Sequence, residues 1–249
     1  MKPDVVVDVG NTRMKWGRSR PGSGITEIEA VPLNLGSVWH NRFEIWNGEG
    51  FCWVVAGSNP DRRDEFATWL RNRKCHVAVL TSWKEFGISV RVPSPERVGH
   101  DRLLNARAAI AEIGIGVPAV IVDAGTAVTV DLLDESGAFA GGTIFPGVTT
   151  MARSLHQFTA RLPEVKVESP RPSVPGNATE SAIQGGIWWA VVGGIEAIIR
   201  EYQRRPLAPR HVLLTGGDAD LLLPGLRDIV KHRPHLTLEG IRIAAESLP

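Results

Sequence analysis

The stretch VIVDAGTAVTVD, residues 120–131, decides the fold, because it joins two strands through an aspartate and a glycine. Residues 120–122 are aliphatic and predict a buried strand that ends where Asp123 emerges. Gly125 is expected to permit a tight reversal, and a second strand with alternating apolar and polar residues follows it. The stretch therefore predicts a strand–turn–strand unit with a carboxylate at the end of its first strand.

The same pattern occurs near the start of the chain, in VVVDVGNT, residues 5–12. Asp8 follows three aliphatic residues and precedes a glycine by two positions, as Asp123 does. Strands and helices alternate after each of the two turns, which indicates an α/β protein built by internal duplication. We predict two domains, residues 1–116 and 117–249.

The other predicted elements follow this alternation. Predicted strands lie at residues 13–18, 25–31, 51–56, 77–80, 127–133, 138–144 and 212–214. Predicted helices lie at residues 37–46, 60–73, 103–113, 147–158 and 178–204. Asn59 and Pro60 favour a helix start, because asparagine caps a helix and proline suits its first turn.

The composition is that of an ordinary globular protein, with 249 residues of which 43% are hydrophobic and 22% charged. The formal net charge of +1 argues against binding of nucleic acid or a membrane surface through bulk charge. Cys52 and Cys75 show no metal-ligand spacing and are interpreted as structural thiols. The N-terminus lacks a signal-type apolar segment, and the apolar stretch 187–199 is too short to span a bilayer. We therefore expect a cytoplasmic protein.

The two aspartate turns suit a phosphate site that uses a cation. Glycine lets the backbone approach a phosphate closely, and the amides of such a turn bind anions. Carboxylates repel phosphate, so Asp8 and Asp123 either need a cation such as Mg²⁺ between them and the phosphates or position water. The side chains that could donate to the phosphates are Asn11, Thr12, Lys15 and Thr126. If the two turns face each other, they predict a bound polyphosphate with a metal.

Two further segments could carry chemistry. The glycine turn at residues 215–217 follows a strand and could lie against a flat ring such as adenine. Asp101 lies near a predicted helix start, where it either complements the helix N-terminus or acts as a general base. Arg102 beside it could bind a substrate carboxylate. Other phosphate-binding motifs are missing from the sequence, which has no Gly-Lys pair of a P-loop.

Seven segments of the chain resemble, in the same order, those of type III pantothenate kinases. They are DVGNT (8–12), VGHDR (98–102), DAGTAVTVD (123–131), GGTIFPG (141–147), TARLP (159–163), Thr179 with AIQGG (182–186), and TGG (215–217). The resemblance covers essentially the whole chain. It implies the acetate and sugar kinase/Hsc70/actin fold, with two ribonuclease H-like domains whose mixed sheets are flanked by helices. It also implies a homodimer.

The resemblance implies ATP-dependent phosphorylation of pantothenate, the first committed step toward coenzyme A, with Mg²⁺ and a monovalent cation, potassium or ammonium. Asp101 corresponds to the catalytic proton acceptor from the pantothenate hydroxyl. Asp123 corresponds to the monovalent-cation ligand. The donors around Asp8 suit phosphate and Mg²⁺, which Asp8 would bind directly or through water. Residues that correspond to ATP contacts are Asp8, Val9, Gly10, Asn11, Thr12, Arg13, Met14, Lys15 and Thr126. Residues that correspond to substrate contacts are Gly99, His100, Asp101, Arg102 and Thr179.

Two positions depart from the family pattern. His100 stands where the family often has a small residue, and Val92 takes the place of a tyrosine near the pantothenate pocket. These departures keep open another phosphotransferase or phosphohydrolase of the same superfamily. A non-catalytic nucleotide-binding accessory factor in transcription is a third reading, against which the near-neutral charge and the three carboxylates argue. We expect pantothenate and ATP as ligands, with no nucleic acid and no membrane as partner.

Overall fold

The computed structural model describes residues 1–20, 22–33 and 36–248. The chain forms two compact units, each built on a five-stranded mixed sheet. The first unit comprises Met1–Glu112 together with the C-terminal residues from His235, and the second comprises Ile113–Pro234. The predicted α/β fold with two duplicated domains is confirmed.

The first sheet has its aspartate strand in the centre. Its strands are β1 (Val5–Val9), β2 (Arg13–Arg20), β3 (Gly24–Pro32), β4 (Cys52–Ala56) and β5 (His76–Val79), in the order β3-β2-β1-β4-β5. The helices before the second sheet are α1 (Gly36–Ile45), α2 (Pro60–Arg71) and α3 (His100–Ile113). β1, β2 and β3 are antiparallel, whereas β1, β4 and β5 run parallel. Short 3₁₀ turns at Trp83–Phe86 and Pro95–Arg97 were not predicted from the sequence.

The second sheet repeats this topology. Its strands are β6 (Ala119–Ala124), β7 (Ala127–Leu133), β8 (Phe139–Pro146), β9 (His211–Thr215) and β10 (Lys231–His232), in the order β10-β9-β6-β7-β8. The remaining helices are α4 (Val148–Gln157), α5 (Thr179–Gln203), α6 (Ala219–Leu226) and α7 (Leu236–Glu246). β6, β7 and β8 are antiparallel, and β9 and β10 lie parallel on the other side. Each sheet therefore carries its aspartate on the central strand.

The duplication extends to the backbone beside each aspartate. Gly57, after β4, has φ +146°, and a Cβ there would collide with the backbone of Val9. Gly216, after β9, has φ +106°, and a Cβ there would collide with the backbone of Ala124. The backbone N–H of Asn59 donates to the carbonyl oxygen of Val9 at 3.3 Å. In the second unit the N–H of Asp218 donates to the carbonyl oxygen of Ala124 at 2.9 Å. The glycine turn at 215–217 thus has a counterpart in the first unit that the sequence did not reveal.

Helix α5 is the core helix of the second unit. The indole of Trp188 is fully buried and donates through Nε1 to the carbonyl oxygen of Leu221 at 2.9 Å. By length and composition alone, α5 is also apolar enough to cross a membrane. Val191 and Ile195 on this helix are fully buried with residues of β6, β7 and β9 in one cluster. Its apolar face is therefore used in packing against the sheet.

Helix α7 packs on the first sheet, although its residues lie within the predicted second domain, residues 117–249. Its Glu239 carboxylate accepts a hydrogen bond from the backbone N–H of Ile25 on β3 at 2.8 Å. Its Thr237 hydroxyl donates to the side-chain oxygen of Asn105 on α3 at 2.8 Å, and this pair is buried. These contacts join β3, α7 and α3 within the first unit.

Candidate active site

The first aspartate turn extends from the end of β1. Asp8 is paired with Lys15 on β2 and with Ala56 on β4, so all three side chains project from one face of the sheet. The loop Gly10–Thr12 has three residues and is closed by the Gly10 N–H, which donates to the carbonyl oxygen of Arg13 at 3.2 Å. Lys15 therefore lies beside the Asp8 carboxylate, and the loop with its backbone amides lies beyond the carboxylate.

Not all of the residues predicted to contact ATP offer side chains. Val9 and Met14 are fully buried in the core of the first unit, so they can contribute backbone groups alone. Asn11, Thr12 and Arg13 are exposed. Asn11, Thr12 and Arg13 therefore offer their side chains at the surface of the turn.

The second aspartate turn differs from the first in both length and neighbours. Its loop, Gly125 and Thr126, has two residues and is closed by the Gly125 N–H, which donates to the carbonyl oxygen of Ala127 at 3.0 Å. Asp123 is paired with Thr129 on β7 and with Thr215 on β9. Hydroxyl groups therefore flank this carboxylate where a lysine and an alanine flank Asp8.

The first turn of α4 braces this second loop. The Gly147 N–H and the Thr150 hydroxyl both donate to the carbonyl oxygen of Thr126, at 3.0 and 2.6 Å. Two donors on one carbonyl oxygen fix the peptide plane that follows Thr126. The loop therefore has a defined backbone conformation before any ligand arrives.

The glycines of the two turns are not explained by backbone strain. In the described part of the chain the glycines with positive φ do not include Gly10 or Gly125, so the tight reversal expected at Gly125 forms without a left-handed glycine. A Cβ on Gly125 would meet no atom closer than 3.8 Å. Neither conformation nor packing within the protein therefore requires a glycine at 125. The space that it leaves is suited to a group, such as phosphate, that approaches the turn amides from outside.

The oxygen donors at these turns fit hard cations. Within residues 1–20, 22–33 and 36–248, no three His, Cys, Asp or Glu side chains cluster as metal ligands. Mg²⁺ in nucleotide sites is typically held by one or two carboxylates together with phosphate oxygens and water. Asp8 fits that pattern. Asp123 with its neighbouring threonines offers one negative charge and neutral oxygens, which fits a cation of low charge.

Asp101 lies at the N-terminus of α3, which begins at His100 rather than at the predicted Leu103. Its Oδ1 accepts a hydrogen bond from the backbone N–H of Arg102 at 2.9 Å. A Cβ on Gly99 would lie 2.5 Å from that same Oδ1. Glycine at 99 therefore leaves the space that the Asp101 carboxylate occupies.

His100 lines a cleft of about 490 Å³ formed with the two 3₁₀ turns. Its ring packs edge-on against Phe86, with centroids 5.0 Å apart and planes at 82°. Its Nδ1 is buried and has no hydrogen-bond partner among the described residues. Burial and the neighbouring Arg63 guanidinium lower the pKa of His100. His100 is therefore a neutral, bulky wall of this cleft, and half-buried Val92 is not part of the cleft's lining.

The lowered pKa of His100 predicts that acid destabilises the first unit. The folded-state pKa lies below the ordinary value of 6.5, so the unfolded chain binds the proton first and stability falls as the pH drops below about 6.5. Of the charged groups around the ring, Arg63 lowers this pKa, whereas Asp101 and Glu85 raise it. Urea unfolding at pH 7.5 and 5.5 should show a larger loss of unfolding free energy in the wild type than in His100→Gln. Equal losses would contradict this account.

Thr179 lies in the second unit, as the first residue of α5, and it lines an apolar groove of about 830 Å³. The groove runs between α4 and α5, and its apolar lining includes Met151, Leu155 and Phe158. Phe158 is 79% exposed. The groove was not predicted from the sequence, because its walls come from two helices whose packing is not a local property.

Comparisons with known proteins cover most of the chain. The chain matches the family model for type III pantothenate kinase over residues 5–201, which includes both aspartate turns and Asp101. A type III pantothenate kinase of Dehalococcoides mccartyi (strain ATCC BAA-2266 / KCTC 15142 / 195) is 42% identical over 254 residues, covering 96% of this chain and 95% of that protein. The type III pantothenate kinase of Akkermansia muciniphila is 33% identical over 243 residues, covering 97% of each.

A solved structure supports the fold. A Campylobacter jejuni protein named for the Baf family of transcriptional activators superimposes with a TM-score of 0.61 over 97% of each chain, at 20% sequence identity. At that identity the likeness concerns the fold alone, whereas the family match and the two relatives identify the sequence family. The chain therefore belongs to the type III pantothenate kinase family, whose reaction is the ATP-dependent phosphorylation of pantothenate in coenzyme A biosynthesis.

Proposed function

We propose that the chain carries out this phosphoryl transfer with three carboxylates in separate roles. Asp101 is the general base, the Asp8 turn binds the ATP phosphates with Mg²⁺, and the Asp123 turn binds a monovalent cation, potassium or ammonium. The observation that carries the proposal is that two equivalent aspartates have chemically different neighbours on their sheets.

The neighbours of Asp8 suit phosphate. Lys15 is the cross-strand partner of Asp8, so its ammonium group lies within reach of an anion held at the turn. The backbone amides of Asn11 and Thr12, beyond the closing Gly10 bond, add donors for phosphate oxygens. A Mg²⁺ ion bound at Asp8 would neutralise charge on the transferring phosphoryl group. Catalysis of phosphoryl transfer consists mainly of such positioning and charge stabilisation.

The position of Asp101 suits a general base. Its carboxylate is held at the start of α3 by the Arg102 N–H and is partly exposed. We propose that it accepts the proton of the pantothenate hydroxyl while that oxygen attacks the γ-phosphorus of ATP and ADP leaves. The guanidinium of Arg102 would pair with the pantothenate carboxylate. Gly99 and His100 would form the wall beside them.

We propose that the groove between α4 and α5 is the face of a homodimer. The groove is lined mainly by apolar side chains, and Phe158, which is 79% exposed, places an aromatic ring in it. Thr179 lines the same groove, so a second copy seated there would meet a predicted substrate contact. Sedimentation should give a dimer for the wild type and a monomer for Phe158→Asp. A monomeric wild type at micromolar concentration would contradict the proposal.

One assay tests the proposed function directly. Purified protein is incubated with ATP, Mg²⁺ and pantothenate, with and without potassium, and phosphopantothenate is detected. We expect product that depends on potassium. Its absence under both conditions would favour another phosphotransferase or a nucleotide-binding accessory factor in transcription. We also propose that the protein is cytoplasmic, with neither nucleic acid nor membrane as partner, since its ligands are small soluble molecules.

A further inference from the structure

One face of the second sheet carries a row of oxygen-bearing side chains centred on Asp123. Thr129 on β7 and Thr215 on β9 are its register partners on either side. Paired residues on neighbouring strands project from the same face, with Cβ atoms about 4.5–5.5 Å apart in antiparallel pairs. Asp131 stands two residues beyond Thr129 on β7 and projects from that face as well.

Asp131 is a carboxylate built into this face. It is only 1% exposed, which is rare for an aspartate. Its Oδ2 accepts a hydrogen bond from the Thr129 hydroxyl at 3.2 Å. Gly142 is its register partner on β8, and a Cβ there would collide with Oδ1. The sheet therefore leaves a fitted space for this carboxylate and fixes it beside Thr129.

The hydrogen bond to Asp131 determines whether the Thr129 hydroxyl can act as a donor or as an acceptor toward Asp123. A hydroxyl has one proton and two acceptor lone pairs. Because the Thr129 proton is donated to Asp131, lone pairs alone remain for the side that carries Asp123. Oxygen lone pairs of a hydroxyl and of a carboxylate can serve together as ligands of one cation. The geometry therefore prepares Thr129 as a cation ligand.

We propose that Thr129 is a further ligand of the monovalent cation held by Asp123, and that Asp131 is a positioning residue that keeps the Thr129 hydroxyl in its acceptor orientation. This inference rests on the proposed cation site at Asp123. A hydroxyl adds an oxygen ligand without adding charge, which suits a large, singly charged cation that neutral oxygens can coordinate.

The test is a potassium titration of Thr129→Val, an isosteric change that removes the hydroxyl. One readout is the potassium concentration for half-maximal turnover, and the other is the potassium-dependent rise in Tm with ADP present, which needs no turnover. We expect that Thr129→Val raises both potassium midpoints about tenfold or more, which is the usual loss of metal affinity when a residue that supports a metal site is mutated. Saturating potassium should restore kcat. Thr129→Ser should restore the midpoints. Asp131→Asn should raise the midpoints, because the asparagine amide can donate to the Thr129 oxygen. The Thr129 proton is then no longer held toward residue 131, and the acceptor orientation toward Asp123 is lost.

Thr143→Val is the matched control on the opposite face of the same sheet. Thr143 pairs with buried Val130, and its hydroxyl oxygen is buried without a partner among the described residues. We expect wild-type potassium midpoints for this variant. Wild-type midpoints in Thr129→Val, or equal shifts in both valine variants, would overturn the inference and leave the Asp123 site standing. A wild type whose turnover and Tm ignore potassium would overturn the cation site, and the inference with it.

Discussion

Replacing Asp101 with asparagine is expected to lower kcat by about 10²–10⁴-fold, the range that general-base catalysis usually contributes. Asparagine cannot take up the pantothenate proton, but its side-chain oxygen can still accept the Arg102 N–H bond seen at 2.9 Å. The fold and the affinity for ATP should therefore stay close to those of the wild type. Steady-state kinetics and calorimetric ATP binding measure the two effects separately. Undiminished turnover would remove Asp101 from its role.

A second variant tests the placement of that carboxylate rather than its chemistry. The added methyl group of Gly99→Ala would lie 2.5 Å from the Asp101 Oδ1, so the carboxylate must move. A displacement near 1 Å costs on the order of 10²-fold in rate when a catalytic group must be aligned. Gly193→Ala on α5 is the control, because its new Cβ meets no atom within 4 Å. Turnover should fall in the first variant and not in the second.

Replacing Asp8 with asparagine is expected to lower kcat/KM for ATP by about 10²–10³-fold, comparable to the loss of one strong electrostatic contact in an active site. The change keeps the size of the side chain but removes the negative charge that would hold Mg²⁺. Lys15 remains beside it, so phosphate attraction persists without the metal ligand. Kinetics at increasing Mg²⁺ should show a higher Mg²⁺ requirement. An unchanged requirement would exclude Asp8 as the metal ligand.

The central strands of both sheets could be predicted from the sequence because they are local patterns. Aliphatic triplets that end at Asp8 and Asp123 mark both the buried strand and the point where a polar group emerges. The start of α3 was placed three residues late, since Gly99 and His100 carry no side-chain capping signal. The role of Gly57 was missed because its close approach to Val9 joins segments far apart in sequence.

Features that depend on register and packing could not be predicted. The threonines at 129 and 215 become neighbours of Asp123 through the pairing of β6 with β7 and β9. The return of α7 to the first sheet depends on contacts such as that of Glu239 with Ile25, which no local pattern encodes. The half-buried position of His100 in the cleft likewise depends on its packing against Phe86.

We propose that the two equivalent aspartate turns perform different ionic tasks. The most direct measurement titrates Mg²⁺ and potassium separately into Asp8→Asn and Asp123→Asn and records the midpoint of activation for each cation. We expect that Asp8→Asn raises the Mg²⁺ midpoint alone and that Asp123→Asn raises the potassium midpoint alone. Equal shifts of both midpoints in both variants would contradict it.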